Sequence, residues 1–172
     1  LINKEGKQHR EDLDLFIEFM NKLYYFSHVF QKYEAIPKIY NTETKLYMKE
    51  VHTLEKVFDN EGITTSEIAT IEKVTQSAVS QKINKLETKG FIEKKRNPDE
   101  YKKINLFTTE TGKSVCKDHK KHDKSIYMSL IQQLHLDEFN DNEKMLNKFI
   151  EILDTISSDM QKNVERLKKL KE

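Results

Sequence analysis

Two groups of side chains in this 172-residue sequence have types and spacings that could do chemistry. The first is Cys116-Lys117-Asp118-His119-Lys120-Lys121-His122-Asp123, where thiol, imidazole and carboxylate donors crowd into two helical turns. His119 and Asp123 are four apart, as are Asp118 and His122, so on a helix either pair shares a face and could hold one metal ion. The second is Gln76, Ser77, Ser80 and Gln81, whose amides and hydroxyls can read base edges in a DNA groove. They open a basic stretch. From Lys73 to Lys103 nine basic residues stand against four acidic ones, a net of +5 on a chain whose total is +1. Such a local field displaces counterions from a duplex, although basic excess alone also fits a solvated helix face.

The surrounding sequence supplies elements to position the second group. Thr64-Thr65-Ser66-Glu67 is a capping box, opening a helix with Ile68, Ala69 and Ile71 on its apolar side. After a turn at Val74-Thr75, Thr75 can cap a second helix whose apolar positions are Val79, Ile83 and Leu86. Gly90 ends it. Phe91-Ile92 begins a strand, Asn97-Pro98-Asp99-Glu100 is turn chemistry, and Ile104 to Thr108 returns as its partner. Two capped helices followed by a basic hairpin spell a winged helix-turn-helix. Its geometry aims Gln76, Ser77, Ser80 and Gln81 at bases, and Thr75, Lys82 and Lys85 at phosphates. Lys94, Lys95, Arg96, Lys102 and Lys103 make the wing basic, with Arg96 best placed to enter a minor groove.

Elsewhere the pattern is helical, giving a mainly α chain that is α+β only in the winged unit. Residues 1–10 are polar and expected to fray. From about Asp12 to Tyr33 a wide, aromatic-rich stripe suggests a helix shared with a second subunit. Ala35 to Asn41 reads as a break, and Thr42 or Thr44 as the cap of a helix through Phe58 that buries Leu46, Met48, Val51, Leu54 and Val57. Lys113 to about Leu134 and a last helix carrying Met145 to Met160 complete the chain. This divides it into a dimerisation helix (1–45), a DNA-binding domain (46–112) and C-terminal dimerisation helices (113–172). A two-fold dimer would set two recognition helices in successive major grooves.

Composition narrows the class. One Cys cannot form a disulfide within the chain, and no apolar run approaches a membrane span. A cytoplasmic protein without membrane association is expected. No Gly-rich phosphate loop, Gly-x-Ser-x-Gly elbow or His-Glu-x-x-His motif is present, so an enzyme is not expected. A helical adaptor without DNA binding is the alternative, but it has no use for the +5 stretch.

The order of helix, helix, TTSEIA, VTQSAVSQKINKLETKGFIEK, wing and two long helices resembles the MarR (multiple antibiotic resistance regulator) family over about residues 12–160. The resemblance implies a homodimeric transcriptional regulator, usually a repressor of a pseudo-palindromic operator released by a ligand. Three positions depart from the family pattern. Glu100-Tyr101-Lys102 stands where an Asp-x-Arg is usual, so the wing lacks the Arg fork. Glu72 replaces the usual Leu at the end of the first short helix, and Lys73 the usual Gly or Asn of the turn. A reshaped turn, with Ile71 supplying the apolar contact, is the expectation.

The first group also finds a place in that resemblance. It is similar to the zinc-responsive branch, the streptococcal adhesin-competence repressor type. By position the branch's ligands map onto Glu34, His52, His119 and Asp123, with Asp123 where the branch has His. Cys116, Asp118 and His122 are alternative ligands, and zinc or another divalent metal the implied effector. Two other effectors stay open: an oxidant acting on Cys116, and a small aromatic ligand in a cleft lined by Tyr24, Phe26, Phe30 and Tyr47.

Overall fold

A computed structural model describes residues 4–96, 103–136 and 141–169. Helix α1 (Lys4–Glu34) leads to a two-stranded antiparallel hairpin, β1 (Lys38–Ile39) with β2 (Lys45–Leu46). Helices α2 (Met48–Asp59), α3 (Thr65–Glu72) and α4 (Gln76–Thr88) follow. The wing is β3 (Ile92–Arg96) with β4 (Ile104–Thr108), and α5 (Glu110–Gln133) and α6 (Asn142–Lys169) close the described chain. The described residues up to Lys121 form one compact unit and those from His122 a second.

The winged unit forms where the capping chemistry directs. Thr64 Oγ1 accepts from the Glu67 amide at 3.3 Å, and Glu67 Oε2 accepts from the Thr64 amide at 2.8 Å. Thr75 caps α4 by accepting from the Ala78 amide at 3.3 Å. Gly90, at φ +78°, turns the chain out of α4 in the left-handed region that glycine enters without a Cβ clash. Val79, Ile83 and Leu86 are fully buried against Val51, Leu54 and Ile68, with Phe91 and Leu106 closing the core from the wing. In the wing Ile92 pairs Thr108, Lys94 pairs Leu106 and Arg96 pairs Ile104. The other edge of β4 is used as well: Leu106 exchanges hydrogen bonds with Gly62 and Ile63.

Four expectations are corrected. Residues 4–10 are helical rather than frayed, since Lys, Glu, Gln and Arg are good helix formers that extend an established helix. The break at Ala35–Asn41 contains β1, and Leu46, buried as expected, sits in β2 rather than in a helix. Neither Thr42 nor Thr44 caps α2, which starts after Tyr47, whose amide donates to Glu50 at 2.9 Å. Two-residue strands carry too little periodicity to show in sequence.

The turn between α3 and α4 is the fourth. Lys73 takes the left-handed conformation (φ 54°, ψ 41°) that Gly or Asn would adopt, so the turn keeps its shape and carries the strain. Ile71 is 52% exposed and supplies no core contact. Glu72 fills that place by hydrogen bonds to its neighbours instead. The turn Asn97–Glu100, and with it Glu100-Tyr101-Lys102, lies outside the described residues.

Candidate nucleic-acid interface and metal-ligand cluster

Helix α4 has two faces. Ser77, Gln81 and Lys85 recur every four residues and are exposed, as is Gln76, while Ser80 is half-buried beside them. Gln76 Nε2 donates to Thr65 Oγ1 at 3.5 Å, a weak tether that leaves the amide at the surface. Thr75 is exposed, with its hydroxyl accepting the cap bond.

The basic residues divide into those turned outward and those engaged within the unit. Lys82 binds the Glu72 carboxylate, and Lys94 donates to both Asn84 Oδ1 and Glu87 Oε2 at 2.6 Å, bracing the wing on α4. Lys95 pairs with Glu93 at 3.2 Å and lies 5.1 Å from the Phe107 ring centroid. Lys85 and Arg96 are exposed and Lys103 is half-buried. Lys102 lies outside the described residues. Sequence spacing missed this division because it depends on which acidic residues fold alongside.

Part of the metal group also assembles. His52 and Glu55 project from α2 and His119 from α5, and one ligand atom from each lies within 4.8 Å of the others. His119 is fully buried, its Nε2 3.8 Å from Glu55 Oε2. Its ring meets His52 at 5.4 Å between centroids and Tyr40 edge-on at 5.2 Å. Two imidazoles and a carboxylate are a donor set that zinc accepts.

The remaining candidates are not part of that trio. Glu34 is outside that trio and sits 3.6 Å from Lys49. Asp123 belongs to the second unit, where the Tyr127 hydroxyl donates to it at 3.3 Å. Asp118 is half-buried, His122 is exposed, and neither joins the trio. Sequence reasoning missed Glu55, although its i,i+3 spacing from His52 puts both on one helix face.

Cys116 is buried in the core, and its thiol is pushed up to about 12, first by burial and then by the Glu55 carboxylate. The thiolate is the reacting form, so this environment opposes redox sensing. Tyr24, Phe26, Phe30 and Tyr47 are 41–78% exposed, as surface positions rather than walls of a closed cleft.

The chain is, by this architecture, a winged helix-turn-helix protein. Residues 46–104 match the family model for the MarR family. An uncharacterized HTH-type transcriptional regulator of Bacillus subtilis (strain 168), YybA, is 37% identical over 62 residues, or 36% of this chain. The chain spans 41% of that relative's length. The fold is similar to Streptococcus pneumoniae FabT in complex with DNA, with a TM-score of 0.67 and 21% identity over 86% of this chain and 99% of that one. It is also similar to Lactococcus lactis ZitR, described as a zinc-responsive MarR family member. There the TM-score is 0.59 and the identity 23%, over 80% of this chain and 97% of that one. Among the described residues no helix is long and apolar enough to cross a membrane.

Proposed function

We propose that this chain is a sequence-specific DNA-binding regulator of transcription, a repressor acting as a homodimer on a pseudo-palindromic operator. The observation that carries this is the outward face of α4. Ser77, Gln81 and Lys85 stand in an exposed row on a helix that is capped, packed on an apolar core and flanked by a basic wing. Such a row can enter a major groove while the exposed Arg96 of the wing sets register on phosphates. Exposed apolar residues on α1 and α6, among them Leu15, Phe16, Phe149 and Ile150, suit the dimer interface of a two-fold assembly.

The effector reading follows from the trio. His52, Glu55 and His119 would hold zinc or a similar divalent cation and join α2 to α5, with Glu55 taking the carboxylate role that position had assigned to Glu34 or Asp123. Bound metal would supply a cross-link between the two helices. It would switch DNA binding only through a difference in affinity between the DNA-competent and incompetent arrangements.

Fluorescence anisotropy with duplexes from upstream of the chain's own coding sequence tests both parts. Binding that saturates and weakens with salt supports the regulator. A rise in affinity with zinc over chelator, lost in His52→Ala and His119→Ala, supports the metal. Equal binding in zinc and chelator sinks the metal reading and leaves the regulator standing.

A further inference from the structure

Glu72 is the residue at which this chain departs most from an apolar α3–α4 junction, and its surroundings explain the carboxylate. Its side chain is 11% exposed and that of its partner Lys82 is 24% exposed. Oε1 accepts from the hydroxyl of Thr53, a fully buried residue of α2, at 2.8 Å. Oε2 accepts from Lys82 Nζ on α4. One carboxylate thus ties α2, α3 and α4 together. Helix geometry agrees: Lys82 lies three residues after Val79 and four before Leu86, both fully buried, so it projects from the flank turned towards the core. Lys85 projects with Gln81 and Ser77 on the adjoining row, which is exposed.

Two half-buried opposite charges cost desolvation that their pairing offsets, and parting them leaves each uncompensated. Drawing Lys82 out to a DNA phosphate would do this and would leave a carboxylate facing a polyanion. We propose that Glu72 is a positioning residue for DNA recognition, pinning α4 to α2 and withholding Lys82 from the phosphate backbone. Lys85, rather than Lys82, is then the α4 lysine that neutralises phosphate. This rests on the DNA-binding reading above and replaces the expectation that both lysines contact phosphate.

The test is the slope of log affinity against log salt concentration, because each phosphate contact contributes about 0.9 to it. Against the wild-type slope, Lys85→Gln should lose about one unit, whereas Lys82→Gln should lose none. Glu72→Leu should gain about one unit by freeing Lys82, and Glu72→Gln, which keeps the size and an acceptor for Thr53, should do the same if the leucine variant fails to fold. A simple structural role would weaken binding without moving the slope. A Lys82→Gln slope that falls like that of Lys85→Gln, or a slope indifferent to both Glu72 variants, overturns the proposal. A wild type that binds no duplex at any salt removes the DNA-binding reading itself. A thermal-unfolding cycle on Glu72→Gln and Lys82→Gln then decides the latch alone: non-additive losses support it and additive losses overturn it.

Discussion

The winged unit and the long helices before and after it in the sequence use the same apolar spacing to opposite ends. In α2 and α4, Val51, Leu54, Ile83 and Leu86 are wholly removed from water. In α6, Phe149, Ile150 and Leu153 repeat at similar intervals, yet each stays 42–56% exposed, and along α1 Leu15 and Tyr24 reach 69% and 78%. Helical periodicity says which residues share a face. It does not say what covers the face. The winged unit closes its core within one chain, while the flanking helices leave their apolar stripes exposed, which is where the proposed dimer would form.

That contrast can be broken most strongly from the closed side. Leu86→Ala should cost about 2–5 kcal/mol in urea unfolding, since a fully buried leucine leaves a cavity in a packed core. Gly112→Ala should cost about 1–3 kcal/mol. A Cβ there would lie 2.2 Å from the Phe91 carbonyl oxygen, which already accepts from the Thr109 amide at 3.1 Å.

From the open side, Phe149→Glu combined with Ile150→Glu should leave the winged unit folded by circular dichroism while halving the sedimenting mass. Affinity for a two-half-site duplex should then fall on the order of a hundredfold, as bivalency is lost. Unchanged mass would show that α6 is not the interface.

Smaller effects sharpen the account of the winged unit. Lys73→Gly should raise stability by up to about 1 kcal/mol, because it relieves left-handed strain at some cost in chain entropy. Thr64→Ala should cost about 1 kcal/mol by removing the α3 cap. Thr64 also holds the Glu67 carboxyl below its ordinary value by hydrogen bonding. A depressed folded-state value stabilises above the carboxylate range and is lost as pH falls through it, so the Thr64→Ala deficit should shrink in acid unfolding curves. Cys116 should react with a thiol reagent only at the rate of unfolding, given its burial and a thiol pushed up to about 12.

The caps of α3 and α4, the stop at Gly90 and the burial of Val79, Ile83 and Leu86 were legible in the sequence because each depends on residues within a turn or two of one another. Local hydrogen bonding and helical spacing are short-range physics. The β1–β2 hairpin was not legible, since two residues per strand leave no alternation to read. Nor was Gly112, whose need for a missing Cβ comes from the backbone of Phe91, twenty-one positions away.

The same division runs through the sites. By itself the sequence determined that a capped helix pair would present Ser77, Gln81 and Lys85 together beside a basic wing, because residues four apart on one helix must share a face. Only the tertiary structure decided that Lys82 turns inward to Glu72 and that Glu55, rather than Glu34 or Asp123, completes a trio with His52 and His119. Those partners meet across helices, and pairing between helices is set by how the core packs.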